Sequence, residues 1–89
     1  MAWTIKWDIR AQKEFDKLDR SIQKTILNFL IKKISPLDNP RVFGKPLSYE
    51  KFGLWRYRIG DHRIICRIDD ASIHMVVVKV GHRKKVYDE

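Results

Sequence analysis

Three runs of alternating apolar residues crowd the second half of the chain, at 54–59, 63–68 and 73–80, with only Gly60-Asp61-His62 and Asp69-Asp70-Ala71-Ser72 between them. Gaps this short leave no room for a crossover helix, so the runs predict an antiparallel meander of three strands. Strand side chains alternate between faces, which puts Trp55, Tyr57 and Ile59 on one side of the first strand and Arg56 and Arg58 on the other. In the second strand Ile64, Cys66 and Ile68 form the apolar set, so Arg63 falls on the opposite face with Ile65 and Arg67. The hairpin then brings Arg63 beside Arg56 and Arg58. A pair of strand arginines alone reads as a solvated face. Three converging guanidinium groups repel one another unless an anion lies between them, and phosphate fits their planar forks.

The first half of the chain carries a different period. Trp3, Ile5 and Trp7 alternate with Thr4 and Lys6, which reads as a short strand with one buried face. Ala11, Phe15 and Leu18 then recur at helical spacing behind Asp8, a candidate N-cap, and predict a helix over 9–18. A second helix is predicted over 21–34, with Ile22, Ile26, Phe29, Leu30 and Ile34 on one stripe and Ser35-Pro36 as its stop. Residues 35–53 hold all three prolines and two of the four glycines, a composition that predicts an ordered loop from helices to sheet. The reading is one small α+β domain over 1–89 of order β-α-α-β-β-β. An antiparallel sheet carries both N-terminal helices on one face and leaves the other free to bind.

Charge sharpens this without deciding it. Lys and Arg number 19 against 11 Asp and Glu, a net charge of +8 over 89 residues, which suits nucleic acid, an acidic protein or an anionic surface. Cys66 is the only cysteine, which excludes an internal disulfide and a cysteine-built zinc site and predicts a reducing, cytoplasmic setting. The N-terminus lacks the pattern of an export signal, and no apolar run approaches the ~18 residues of a membrane span, so no membrane partner is expected. His62, His74 and His82 have no metal-ligand spacing and no carboxylate cluster accompanies them, so neither metal nor cofactor is expected.

The chain ends in Gly81-His82-Arg83-Lys84-Lys85-Val86-Tyr87, followed by Asp88 and Glu89. Arg83, Lys84 and Lys85 read either as a solubilising tail or as phosphate ligands, and Tyr87 either as a terminal anchor or as an acid or base. His82 is the histidine adjacent to this cluster. If the anion is RNA, a metal-free cut needs a group to take the 2′-hydroxyl proton, cations to stabilise the phosphoryl oxygens and an acid for the departing 5′-oxygen. The arginine, histidine and tyrosine set fills these roles. It lacks the His/Glu machinery of a fast free-standing ribonuclease, so a scaffold that aligns the RNA is expected.

The chain resembles the RelE toxins of the RelE/ParE superfamily along nearly its whole length. The resemblance lies in Trp3-Thr4-Ile5, Ala11-x-x-Glu14-Phe15-x-x-Leu18, Gly44-Lys45-Pro46-Leu47, the run from Leu54 to Ile65, and the run from Val80 to Tyr87. It implies cleavage of messenger RNA in the ribosomal A site, with catalytic roles for Arg63, Arg83, Tyr87 and His82 and substrate contacts from Arg56, Arg58, Lys84 and Lys85. Within that set, Arg63 holds the scissile phosphate, Arg83 is phosphate stabiliser or acid, Tyr87 is base, and His82 shares the proton transfer. Lysines stand in the best-known relatives where Arg56 and Arg58 stand here, and arginine is a poor proton acceptor, so neither is expected to act as base. The resemblance further implies a cognate antitoxin of RelB type, with an acidic and apolar segment that covers this surface or displaces the C-terminal tail, and a bacterial or archaeal cytoplasm. Two alternatives belong to other classes: a ParE-type inhibitor that binds DNA gyrase, and a non-catalytic RNA-binding module. The combination of Arg63, Arg83 and Tyr87 favours the nuclease.

Overall fold

A computed structural model describes residues 2–47 and 53–84. Strand β1 (Thr4–Trp7) leads into helices α1 (Ile9–Asp16) and α2 (Arg20–Asn28), and α2 runs on into a π-helical segment, Phe29–Ile34. A 3-10 turn at Pro40–Phe43 precedes β2 (Lys45–Pro46), and the meander follows as β3 (Leu54–Ile59), β4 (His62–Asp69) and β5 (His74–His82). The α+β architecture, the two N-terminal helices and the three-strand meander match the expectation.

Three details differ. The sheet is mixed and has five strands in the order β1-β5-β4-β3-β2, with β1 parallel to β5 and the other pairings antiparallel. Alternation along β1 shows which face is buried and says nothing about its neighbour, so the parallel pairing was not visible. The added strand β2 is two residues long and ends in Pro46, which lacks an N–H and suits the sheet edge that β2 forms. The predicted 21–34 helix changes character after Asn28, and the Ser35 amide donates to the carbonyl of Leu30 at 2.8 Å, an i to i−5 bond. Ile26, Leu30 and Ile34 are fully buried at four-residue spacing, which drifts around a helix of about 3.6 residues per turn. The wider turn reduces that drift.

The core lies between the helices and one sheet face. Ala11 and Phe15 of α1, Ile26 and Leu30 meet Tyr57, Ile64, Cys66, Met75, Val77 and Val80 of the sheet. Asp8 caps α1 as expected, its carboxylate accepting the Arg10 amide at 2.9 Å. Strand β1 accompanies β5 only as far as the pair Trp7 and Val77. Beyond that point Glu14 of α1 takes over as neighbour: one carboxylate oxygen accepts the Val80 amide at 2.9 Å and the other meets Lys79 Nζ at 3.2 Å.

Cys66 is fully buried, and burial pushes its thiol up to about 12. The thiolate is the reactive form, so alkylation of the native protein near pH 8.5 should run about 10³-fold slower than after denaturation. Timed labelling with iodoacetamide checks this. Equal rates in the native and denatured protein would place Cys66 at the surface.

Candidate functional site

Strand register assembles the cationic face. Arg58 pairs directly with Arg63, and Arg63 with Gly81, so one row crosses three strands with two guanidinium groups followed by a residue that has no side chain. A second row runs Lys45, Arg56, Ile65, Lys79. Lys45 was not singled out in the sequence, because a two-residue strand carries no readable period. Its place beside Arg56 adds a cation to the predicted set. Lys79 is turned to the sheet edge by Glu14.

This face is not uniformly open. Arg58 is exposed, Arg63 is half-buried, and Arg56 is buried at 8% exposure, as is Ile65 at 5%. A cleft of about 90 Å³ lined by Phe43, Gly44, Lys45, Arg56 and Arg58 opens between β2 and β3. Arg56 therefore lies in the wall of the site, and Arg58 and Arg63 reach its surface.

The opposite side chains of β3 hold that wall in place. Tyr57 donates its hydroxyl to the Pro40 carbonyl at 2.6 Å, and Trp55 Nε1 donates to the Arg41 carbonyl at 3.1 Å. Burial raises the Tyr57 phenol above its ordinary range, so it serves as a structural donor and not as an acid or base. Arg41 forms a two-bond pair with Asp70, at 2.7 and 3.1 Å, which ties the 3-10 turn to the β4–β5 connection. Gly44 follows with an extended backbone, so its constraint is space: a Cβ there would come 2.6 Å from Trp55 Nε1 and 2.8 Å from the Arg56 carbonyl. Gly44→Ala should destabilise the protein by about 1–3 kcal/mol and displace Lys45 from Arg56. Each kcal/mol lowers the thermal midpoint of so small a domain by about 4–8 °C, so calorimetry reads the effect directly. An unchanged midpoint would mean that the turn does not pack against Trp55.

A bulge in β5 decides where the C-terminal residues lie. Ile65 pairs with Lys79 but Cys66 pairs with Val77, which leaves Val78 as the extra residue and reverses the alternation beyond it. Met75 and Val77 are buried toward the helices before the bulge, and Val80 after it. Gly81 consequently falls on the arginine side, and Arg83 follows two positions on, in the turn just beyond the strand. The Arg83 amide donates to the Asp61 carbonyl at 2.8 Å, which extends the ladder past the strand, and the side chain is exposed.

The same parity places His82 on the other side. It pairs with His62 across the ladder, level with Ile64 and Val80, and the two rings stand edge to face with centroids 5.6 Å apart. His62, read in the sequence as a turn residue, begins β4 and lines a cleft with Ile22 and Thr25 of α2. Arg58 and Arg63 are thus on one face with Gly81, Arg83 is exposed in the turn two residues beyond Gly81, and His82 is on the other face. Lys84 is exposed in the turn after β5, while Lys85 and Tyr87 lie outside the described residues. Among the described residues no group of three or more His, Cys, Asp or Glu is placed to hold a metal ion, and no helix is long and apolar enough to cross a membrane.

A family model described as the ParE toxin of the type II toxin–antitoxin system parDE matches residues 5–87. Toxin RelG of Mycobacterium tuberculosis (strain ATCC 25618 / H37Rv) is 31% identical over 87 residues, which are 98% of either chain. The toxin–antitoxin complex RelBE2 of Mycobacterium tuberculosis contains a chain that superposes with a TM-score of 0.83 at 30% identity, over 93% of both chains. The isolated RelE toxin of E. coli shares the fold, with a TM-score of 0.75 at 20% identity over 91% of this chain and 84% of its own. From residue 5 to residue 87, then, the chain belongs to the ParE toxin family of type II toxin–antitoxin systems, within the RelE/ParE superfamily.

Proposed function

We propose that this toxin is a metal-free endoribonuclease that cuts messenger RNA in the A site of the ribosome and so stops translation. The observation that carries the reading is the row from Arg58 through Arg63 to the side-chain-free Gly81, with the exposed Arg83 in the turn just beyond it. The gap at Gly81 lets a phosphodiester approach between two sets of cationic donors. In the reaction the ribose 2′-oxygen attacks the adjacent phosphorus and the bond from phosphorus to the 5′-oxygen breaks, giving a 2′,3′-cyclic phosphate and a 5′-hydroxyl. Arg63 holds the scissile phosphate and Arg83 meets the charge that grows on its oxygens. Arg58, with Lys45 and Arg56 behind it, binds the neighbouring backbone, and Lys84 and Lys85 add sequence-independent attraction. Tyr87 takes the proton from the 2′-hydroxyl, and a proton from Arg83 or from solvent water completes the departing 5′-hydroxyl.

A cognate antitoxin of RelB type is the second partner. The outer face of α2 and the π-helical segment after it exposes Leu27 and Ile31, which line one shallow cleft with Arg20 and Lys24, an apolar strip with cations at its α2 end that suits an acidic amphipathic segment. Induction in growing cells tests the central reading. Protein synthesis should halt with messenger cuts inside reading frames, and co-expression of the antitoxin should restore growth. Gyrase-linked DNA breaks with intact messenger would assign the protein to the ParE type of action.

A further inference from the structure

The turn that carries Arg83 is fixed at two consecutive amides. The Arg83 amide donates to the Asp61 carbonyl at 2.8 Å, and the Lys84 amide donates to Nδ1 of His82 at 3.2 Å. A ring nitrogen that accepts a hydrogen bond carries no proton, so the neutral His82 ring holds its proton on Nε2. To act as a base through Nε2 the ring would have to move that proton to Nδ1, facing an amide that also donates. The His62 ring stands against it, and the β5 bulge has put His82 on the side of the sheet where the alternation of β4 puts His62, away from Arg58 and Arg63.

We infer that His82 is a positioning residue for Arg83 and carries no proton in the reaction: its Nδ1 closes the turn and His62 buttresses the ring. The inference rests on the nuclease reading and adds a division of labour within it, since removal of the 2′-hydroxyl proton is left to Tyr87. It also gives the backbone that carries an exposed arginine just beyond the end of a strand a fixed turn. Asparagine supplies a side-chain oxygen that bonds the amide two residues on, as His82 does, and it cannot carry a proton.

Single-turnover cleavage on saturating ribosomes, with His82→Ala and His82→Asn compared with the unaltered protein, separates the roles. His82→Ala should slow cleavage by about 10- to 10²-fold through misplacement of Arg83. His82→Asn should restore the rate to within about threefold of the unaltered protein, because the turn closes again. Equal loss in both variants, with the Lys84 amide still protected from exchange in His82→Asn, would make His82 a proton carrier and overturn the inference. Nitrogen NMR of the imidazole gives a readout independent of cleavage: the neutral ring should be protonated on Nε2, and a ring protonated on Nδ1 would overturn it as well. If the unaltered protein cuts nothing on ribosomes, the nuclease reading fails by itself, and the tautomer with Lys84 exchange still decides whether His82 closes the turn.

Discussion

Arg63→Ala should lower single-turnover messenger cleavage on saturating ribosomes by about 10²- to 10³-fold, the 2.7–4 kcal/mol that follows loss of one well-placed donor to a developing oxyanion. Arg63 sits in the middle of its row, with Arg58 on one side and the side-chain-free Gly81 on the other. No neighbouring side chain on β5 fills its place. Ribosome association should change far less, because a chain with 19 basic residues has many other sources of attraction for a phosphate backbone. The effect therefore belongs in the cleavage step and not in binding. An unchanged single-turnover rate would move the scissile phosphate elsewhere on the sheet.

Tyr87→Phe should cost about 10²-fold or more in cleavage while fold and ribosome binding persist, the lower end of what general acid–base catalysis contributes. The substitution keeps the ring and removes the hydroxyl, so it distinguishes a proton acceptor from a terminal anchor. Tyr57, the one phenol among the described residues, is committed to the Pro40 carbonyl and buried, which leaves it unsuited to the task. A fully active Tyr87→Phe protein would make the ring an anchor and require another base.

The meander was legible because its turns are short and its alternation strict: Tyr57, Ile64 and Cys66 announced the core face and thereby assigned Arg58 and Arg63 to the other. The parallel pairing of β1 with β5 was not, since the partners Thr4 and His74 are far apart in sequence and no local pattern links them. The bulge was equally hidden. Met75 to Val80 reads Met-Val-Val-Val-Lys-Val, a run too uniformly apolar to show that the buried parity changes between Val77 and Val80. Counting by twos from Val77 would send His82 to the arginine face and Arg83 toward the helices, and the bulge exchanges them. Lys45 escaped notice for a related reason: only its pairing with Arg56 shows that a loop lysine belongs to the site.

The most direct test of the nuclease reading is to map messenger 5′ ends after incubation with purified protein, in parallel reactions with and without translating ribosomes. The reading predicts cuts at A-site codons that carry a 5′-hydroxyl, appear only with ribosomes and disappear in Arg63→Ala. Vigorous metal-dependent cleavage of free RNA, or intact messenger on ribosomes that the protein has saturated, would contradict it.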